Sequence, residues 1–322
     1  MRKAEQRIRY AEFCCHTEGL PLFAEAWWLD AVCGAEGWQV ALDFDKNGNI
    51  NGALTYQIVK KWGIKIIQMP PQTGYMNLWL RDDEAWKIES RLSFQRTVLK
   101  NLIAQLPSDV AYFNQFLPPS FQNFLPFRWA NFHIEPHVAY VLDDLKNTSR
   151  LWENLKDTAR NKIRKAEKAG ISVESSLDFE RFYAIFEKNY QRLGVQTRAT
   201  RQFFERIHAE IKKQNVGKVF FATDTEGSVH AALYVVWSNS TAIYWAAAAD
   251  ENHRTSGATS LLLWRVLENL SARGIQRFEA LGSGAENLES FIASFGARQE
   301  VFFKISRYRN RLFRQLHLLI TH

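Results

Sequence analysis

The sequence predicts an α/β (α+β) chain of two tandem domains, each with a mixed, mostly antiparallel sheet flanked by helices. Three observations lead to this fold class. Residues 241–306 read in order as strand, glycine-containing turn, helix, strand, helix and strand. The first half of the chain repeats a similar order of elements, and 322 residues are more than one ordinary core needs. We therefore expect an N-terminal domain over residues 1–146 and a C-terminal domain over residues 147–322.

Hydrophobic spacing and turn residues divide the first half into a helix, a hairpin, a strand, a second helix and two further strands. Asn47-Gly48 lies between two apolar runs, which is a strong local signal for a hairpin turn. Asp43, Asp45 and Asn47 mimic the start of a calcium loop, but no glutamate follows at the closing position, so no metal site is predicted. The expected elements are helices at residues 23–32 and 83–106, and strands at 39–43, 50–60, 63–69, 110–117 and 137–142.

The second half begins with a basic helix and continues through another hairpin to residues 241–306. Residues 151–169 form the expected basic helix, in which Arg160, Arg164 and Lys168 are spaced four apart and share one face. This face is either a solvated surface or a phosphate-binding surface, because like charges at this spacing repel one another without an anion nearby. The other expected elements are helices at 179–193, 201–213, 261–273 and 286–295, and strands at 171–174, 219–222, 229–237, 241–249, 276–281 and 301–306.

The turn at residues 254–260 is the candidate binding element. A helix begins there, and a helix N-terminus presents unpaired backbone N–H groups and a partial positive charge, which together attract an anion. Gly257 would let the backbone approach a phosphate closely, and Arg254 adds a cation. The alternative is an ordinary helix start, in which Thr255 or Ser256 caps the first turn.

This turn and a later helix resemble the donor-binding half of the GNAT N-acyltransferase superfamily. Residues 254–259 (Arg-Thr-Ser-Gly-Ala-Thr) match the pattern (Gln/Arg)-x-x-Gly-x-(Gly/Ala), with Thr259 in place of the last small residue. Residues 287–297 are similar to the family's late helix, which contains an asparagine and ends in Phe-Gly. The resemblance implies two GNAT-like domains, the first of them degenerate, with acyl-CoA as co-substrate and no tightly bound cofactor. It places the donor on Arg254, Ser256, Gly257, Ala258, Thr259 and Asn287.

The tandem halves, the second opened by a basic helix, also resemble the Fem (FemABX) peptidoglycan aminoacyltransferases and related bacterial acyltransferases. Residues 160–166 are similar to the family's Arg-x-x-Ile-Arg-Lys-Ala helix, and residues 190–195 and 278–283 stand where two further motifs lie. Leu193 replaces a family aspartate, and residues 292–296 lack the lysine of the Phe-Lys-x-x-Phe-Gly ending. The resemblance implies that Arg192 binds a substrate phosphate or carboxylate and that Tyr244 lines the acyl-transfer groove.

We expect an N-acyltransferase that moves an acyl group from acyl-CoA to an anionic, amine-bearing acceptor such as a cell-envelope precursor. Acyl transfer needs an oriented amine, a group to take its proton and donors for the oxyanion. Strand Thr241–Ala249 would supply the donors, Glu279 is the candidate base, and Glu251 is the alternative. Arg160 and Arg164 would join Arg192 in binding the substrate. Two other functions stay open: transfer from aminoacyl-tRNA, and binding without catalysis.

Composition and charge favour an intracellular protein with anionic partners. The net charge is +7, which suits CoA, charged tRNA or an acidic membrane surface. Three cysteines give neither a disulfide framework nor a metal-ligand spacing, and no apolar stretch follows the charged N-terminus, so we expect a cytoplasmic location. Residues 308–322, which include Arg309, Arg311 and Arg314, are typical of a basic amphipathic helix that packs on the body or contacts acidic lipid.

Overall fold

The protein is described by a computed structural model that covers residues 2–61, 63–75, 78–119, 121–192, 199–281, 286–310 and 314–315. The α-helices in this part of the chain are α1 Lys3–His16, α2 Ala26–Cys33, α3 Ile88–Ala104, α4 Leu125–Trp129, α5 Thr148–Asn154, α6 Asp157–Lys168, α7 Phe179–Arg192, α8 Arg201–Gln214, α9 Ala258–Ala272 and α10 Glu286–Ala293. The strands are β1 Trp38–Phe44, β2 Ile50–Lys61, β3 Ile64–Gln68, β4 Leu78–Leu80, β5 Tyr112–Phe116, β6 His133–Leu142, β7 Ser172–Ser176, β8 Gly217–Thr223, β9 Val229–Ser238, β10 Thr241–Ala249, β11 Arg277–Ala280 and β12 Arg298–Tyr308.

The chain divides into two compact units, residues 1–137 together with 301–322, and residues 138–300. The first unit has the strand order β1-β2-β3-β5-β12, with β4 paired to β2, and the second has the order β6-β11-β10-β9-β8-β7. In each unit the described strand pairs are antiparallel except one, which is β3 with β5 in the first and β10 with β11 in the second. The predicted fold class, mixed and mostly antiparallel sheet flanked by helices, is confirmed.

Each unit takes one strand from the other half of the chain. Strand β6 belongs to the first half in sequence, yet its residues 140–142 pair with β11 of the second unit. Strand β12 closes the second half in sequence, yet its residues 304–308 pair with β5 of the first unit. The units therefore divide at 137/138 and again at 300/301, and the single boundary at 146/147 expected from the sequence does not coincide with either position.

The predicted basic helix at 151–169 is two helices, α5 and α6. Leu155 between them has extended backbone angles (φ −63°, ψ 137°), and Lys156 donates its backbone N–H to the Ser294 carbonyl at 2.9 Å. The Arg160 guanidinium bonds the carbonyls of Trp152 and Glu153 at 3.2 and 3.0 Å, which satisfies the end of α5. A tertiary contact and a side-chain cap thus override the helical propensity of this stretch.

Other differences lie at the ends of elements. Helix α1 and strand β4 were not predicted, and the helix expected from residue 83 begins at Ile88. The Asp83 carboxylate accepts the backbone N–H of Ala85 at 2.9 Å, which holds a local turn before the helix. The hairpin at Asn47-Gly48 is confirmed, because Asp45 accepts the backbone N–H groups of Asn47 and Asn49 at 2.8 Å each. No described helix is both long enough and apolar enough to cross a membrane.

In the first unit, Glu25 precedes α2 in a partly buried position that makes stability depend on pH. Burial raises the pKa of this carboxyl from its ordinary value of 4.5 to about 7. Because the folded state then binds the proton more tightly than the unfolded state, stability should fall as pH rises from about 4.5 to 7. Glu25→Gln should therefore raise the free energy of unfolding at pH 8 by up to about 2 kcal/mol, since the carboxyl is only partly buried, and leave it nearly unchanged at pH 4.5.

Urea unfolding of the wild type and Glu25→Gln at both pH values measures this effect. Glu18→Gln, at an exposed position nearby in sequence, is the control for loss of one negative charge. An equal gain from both variants would show that net charge, not burial of Glu25, sets the pH dependence.

Candidate functional site

Strands β10 and β11 separate within the second unit, and a cavity lies beside the gap. Their parallel pairing covers three residues and ends at Ile243 on β10 and Glu279 on β11. Strand β10 then runs on to Ala249, paired with β9 only and with a bulge after Tyr244. In this stretch, the backbone groups of β10 that point away from β9 have no strand partner among the described residues. Apart from that of the bulge residue Trp245, these N–H groups are available to a carbonyl oxygen.

The cavity has a volume of about 160 Å³ and is lined by β9, β10, α7, α9 and α10. Its wall is mostly apolar, and the polar side chains that reach it are Asn189, Tyr244 and Thr259. Burial raises the pKa of Tyr244, and the neighbouring Tyr190 raises it further. The Tyr244 hydroxyl therefore stays protonated at neutral pH and can donate a hydrogen bond, but it cannot act as a base. Apolar walls with few polar groups are usual for a small-molecule site.

The turn that leads into α9 presents open backbone donors. Gly257 is the N-cap residue and has a left-handed conformation (φ 81°). The Ser256 hydroxyl accepts the N–H of Ala258 at 3.2 Å, as expected for an ordinary capped helix start. The N–H groups of Gly257 and Thr259 have no hydrogen-bond partner within the described chain. Both interpretations of this turn therefore hold in part, because one donor is capped and two are open to an anion.

Helix α6 packs against this turn and explains its glycine. The Lys165 ammonium donates to the Thr255 carbonyl at 2.6 Å. A Cβ atom on Gly257 would overlap the backbone carbonyl of Lys162, so a side chain at this position would displace α6. The sequence predicted that Gly257 lets the backbone come close to a phosphate, whereas in the structure Gly257 lets the turn come close to helix α6. The packing also places the Lys165 ammonium beside the turn, which adds positive charge near the open N–H groups.

Two of the predicted arginines meet at the same carboxylate. Arg254 is exposed and lies 3.6 Å from one oxygen of Glu251, and Arg192 lies 3.7 Å from the other. Arg192 also donates to the Asn189 side chain at 3.1 Å, and Asn189 lines the cavity. Glu251, the alternative base, is thus shared between two cations, and it is not among the residues that line the cavity. The contacts connect the turn with the cavity wall.

Arg160 and Arg164 are placed differently from each other. Arg160 is occupied by the α5 carbonyls and by Asp157, which accepts from its guanidinium at 2.5 Å. The structure gives it a role in joining α5 to α6, and it does not support the predicted substrate contact. Arg164 is exposed, with its guanidinium 5.7 Å from the Trp152 ring. It remains available to an anionic ligand on the surface of α6.

Glu279, the predicted base, does not line the cavity. Phe278 and Ala280 belong to the apolar core that contains the α9 leucines. Because strand side chains alternate, Glu279 points to the opposite face of β11. There its carboxylate accepts from Arg277 at 2.7 Å, and its second oxygen is buried with no partner among the described residues. Burial raises the pKa of Glu279 and the ion pair with Arg277 opposes the increase, so the geometry supports a structural role and not a catalytic one.

Two predicted features lie outside what the structure describes. The first is the Asn287 side chain, which the resemblance assigns to donor binding. The second is part of the Fem-like motifs, residues 193–195 and 282–283. These assignments stay predictions.

A group that could hold a metal lies just before the turn. Asp224, His230 and His253 each bring one potential ligand atom within 4.8 Å of the others. The His230 ring lies 3.0 Å from the Asp224 carboxylate, and the two imidazole rings stack at 3.8 Å with an interplanar angle of 14°. The lone pairs of stacked rings lie in parallel planes and do not converge on one ion. The arrangement is one of packing, and the prediction that no metal is bound stays a prediction.

Sequence reasoning missed Asn189 and Lys165 as parts of this region, whereas Phe291 lies in the late helix to which the resemblance pointed. Asn189 comes from α7, which precedes the turn by tens of residues, and no predicted site residue or contact marks it. Lys165 belongs to the basic helix that the sequence did identify, but its contact with the turn joins residues 90 apart.

Comparisons with known proteins bear on the family and the fold. Residues 153–289 match the family model of the acetyltransferase (GNAT) domain. No curated protein sequence matches the chain. A crystal structure of FemX has a similar fold, with 12% identity, a TM-score of 0.64, and 92% of this chain and 95% of that chain covered. The C-terminal domain of a putative lysylphosphatidylglycerol synthetase from Agrobacterium fabrum has 13% identity, a TM-score of 0.61 and coverage of 99% and 95%.

A tandem GNAT protein from the clavulanic acid biosynthesis pathway is also similar, with 12% identity, a TM-score of 0.56, and coverage of 96% of this chain and 95% of that chain. Likenesses at such low identity concern the fold. They extend over nearly the whole chain, whereas the family model covers the second unit from α5 to α10. Residues 153–289 therefore match the acetyltransferase (GNAT) domain family, within a chain whose fold is similar to that of FemX.

Proposed function

We propose that this protein transfers an acyl group from acyl-CoA to an amine. The observation that carries the proposal is the combination, in one unit, of the separated strands β10 and β11, the adjoining cavity and the open N–H groups of Gly257 and Thr259. The open donors and the cations of α6 suit the pyrophosphate of a CoA donor. The cavity suits the acyl end, since its wall is mostly apolar.

The chemistry follows from groups along β10. The amine nitrogen would form a bond to the acyl carbon, and the C–S bond would break. N–H groups of β10 on the side away from β9, other than that of Trp245, would bind the oxyanion that develops on the carbonyl oxygen. Tyr244, protonated because burial raises its pKa, would donate a hydrogen bond to the leaving thiolate sulfur and keep its own proton. Since no carboxylate lines the cavity in the described chain, the amine proton would leave through water.

The acceptor we propose is an anionic molecule that carries an amine, such as a cell-envelope precursor. Arg192 donates to Asn189, which lines the cavity, and would attract a phosphate or carboxylate on the acceptor. Both the donor and such a precursor are made in the cytoplasm, which supports a cytoplasmic location. Contact of the basic residues after β12 with a membrane surface would be compatible with this setting.

A second candidate is transfer from aminoacyl-tRNA. The observation that favours it is the pair of exposed cations Arg164 and Lys168, which are four residues apart and share one face of α6. Such a face would contact tRNA phosphates, and affinity would then fall steeply with salt. The fold likeness to FemX is compatible with either donor.

Thermal unfolding with acetyl-CoA or CoA tests the donor. At about one hundred times the dissociation constant, binding should add about 2.7 kcal/mol and raise the unfolding temperature on the order of 5–10 °C. Arg254→Ala should lose most of this shift. Arg273→Ala is the matched control, because Arg273 ends the same helix α9 and lies 5.0 Å from Trp237, away from the turn.

No shift with either ligand would contradict the acyl-CoA proposal. Salt-dependent binding of charged tRNA would then favour the second candidate. If neither donor binds, the remaining function is that of a GNAT-like binding protein without catalysis.

A further inference from the structure

The first unit contains a second concave site, separate from the residues that match the GNAT family model. It is a cavity of about 490 Å³ at the ends of β5, β6 and β12, and we call it the arginine pocket. Its lining residues include four cations, one carboxylate and two tyrosines. These are Lys304, Arg307, Arg309 and Arg314, then Glu135, and the tyrosine pair Tyr112 and Tyr308. A volume of this size is typical of ligand sites.

Arg307 is the central cation of the arginine pocket. Its guanidinium is half-buried and lies 4.4 Å from the Phe132 ring. Its hydrogen bond to the Ala130 carbonyl is long, at 3.4 Å, and no described carboxylate lies within ion-pair distance. Burial lowers the pKa of Arg307, because the charge has lost solvent without gaining a counter-ion. A half-buried cation without a carboxylate partner is costly unless an anion binds.

The carboxylate in the pocket is already paired. Glu135 accepts from Lys304 at 3.1 Å and from His137 at 3.0 Å. The Lys304 contact and the His137 contact together lower the pKa of Glu135 despite its partial burial, so it stays ionised. Arg309 and Arg314 are exposed at the rim, and neither has an acidic partner in the described part of the chain. Three arginine charges are therefore left uncompensated in one concavity.

The tyrosine pair forms a neutral wall of the pocket. Tyr112 and Tyr308 stack with their ring centroids 4.4 Å apart. Burial raises the pKa of Tyr112, and Tyr308 adds to this effect, so the phenol stays protonated. A neutral hydroxyl does not repel an anion as a phenolate would.

We propose that the arginine pocket binds a phosphate group, carried by a free phosphorylated metabolite or by a lipid headgroup. A guanidinium fork matches the geometry of phosphate, and half-burial of Arg307 strengthens the pairing because screening is weaker there. The site also gives a role to the basic segment after β12, part of which lines the pocket through Arg309 and Arg314. The proposal concerns residues outside 153–289 and does not depend on acyl transfer.

Calorimetric titration with inorganic pyrophosphate in the Arg254→Ala background tests the pocket, because that background removes one cation from the turn in the second unit. Any binding left at the turn is common to all variants made in this background, so a loss caused by a change in the pocket reports on the pocket. We expect saturable binding of one pyrophosphate. Arg307→Met, which keeps the apolar contact with Phe132, should weaken it at least about tenfold. Arg309→Gln, at an exposed position where folding is not at risk, should weaken it about threefold or more.

Arg96→Gln is the matched control, because Arg96 is an exposed arginine on α3 in the same unit, away from the pocket. The affinity of the Arg96→Gln variant for pyrophosphate should equal that of the Arg254→Ala protein in which it is made. An equal loss in Arg96→Gln, or no saturable binding by the parent, would overturn the proposal, since net charge alone would then account for any signal.

Vesicles distinguish the two sources of phosphate. Sedimentation with phosphatidylcholine vesicles that contain phosphatidylglycerol is compared with pure phosphatidylcholine. Binding that requires phosphatidylglycerol, is reversed by pyrophosphate and is lost in Arg307→Met supports a lipid headgroup as ligand. Pyrophosphate binding without vesicle binding supports a free metabolite. Vesicle binding that is unaffected by Arg307→Met and by pyrophosphate counts against the pocket as the phosphate site.

Discussion

Replacing Arg277 by methionine is expected to lower the free energy of unfolding by about 3–5 kcal/mol at pH 8, because it leaves a buried carboxylate without its cation. Arg277 donates to Glu279 and to Glu300 at 2.7 Å each, and to Asp143 at 3.1 Å. Glu279 is only 5% exposed, and Arg277 is the cation that holds it. Removing the guanidinium therefore costs more than an ion pair at the surface would.

The loss should be smaller at pH 5. Burial already raises the pKa of Glu279, and Arg277 opposes that increase. Without Arg277 the folded-state pKa rises further above its unfolded value, so protonation relieves the buried charge at low pH, and stability falls as pH rises through that window. The double variant Arg277→Met/Glu279→Met should recover most of the loss, because apolar groups of similar size replace both charges.

Arg298→Met is the control for this experiment. Arg298 pairs with Asp143 and Glu300 at 2.7 and 2.6 Å, but about half of its side chain is exposed. Its removal should cost about 1 kcal/mol or less. Chemical denaturation of the four proteins at pH 5 and pH 8 gives the comparison. Equal losses of stability for Arg277→Met and Arg298→Met would mean that the loss in Arg277→Met does not come from the burial of Glu279.

The position of Glu279 also illustrates what the sequence could have predicted. Residues 277–280 alternate between charged and apolar, which in a strand places Arg277 and Glu279 on one face and Phe278 and Ala280 on the other. The helix that follows Gly257 is apolar, so it packs on the face that carries Phe278. Alternation alone therefore separates Glu279 from the cavity beside α9. The prediction of a catalytic base rested on the position of Glu279 at a strand end beside the proposed groove and did not use this local pattern.

Other parts of the structure could not be read from local pattern. The exchange of β6 and β12 between the units depends on pairings such as Val141 with Glu279 and Lys304 with Phe116, which join residues far apart in sequence. The break at Leu155 depends on a contact with Ser294. By contrast, β10, the turn and α9 form one continuous stretch, and their order was predictable because strand, glycine and helix signals follow one another directly.

Gly257→Ala is expected to destabilise the second unit by about 3 kcal/mol, and Gly274→Ala by about 1 kcal/mol. Both glycines have φ 81°, so alanine meets the same backbone penalty at each position, on the order of 1–2 kcal/mol. At Gly274 a Cβ atom would have no neighbour within 4 Å, whereas at Gly257 it would overlap the Lys162 carbonyl. The difference in free energy of unfolding between the two variants therefore measures the cost of disturbing the packing of α6 against the start of α9. Overlap of atoms at such a close contact is costly.

The same pair of variants tests whether that packing matters for the donor. If α6 and the turn form one anion site, Gly257→Ala should abolish the rise in unfolding temperature produced by acetyl-CoA, because displacement of α6 moves Lys165 away from the Thr255 carbonyl. Gly274→Ala, at the other end of α9, should keep the rise in full. Equal destabilisation of the two variants would mean that α6 can move away from the turn without a loss of stability. If Gly257→Ala is destabilised but still shows the rise in unfolding temperature with acetyl-CoA, the contact between α6 and the turn is not needed for donor binding. The open N–H groups alone would then have to bind the donor.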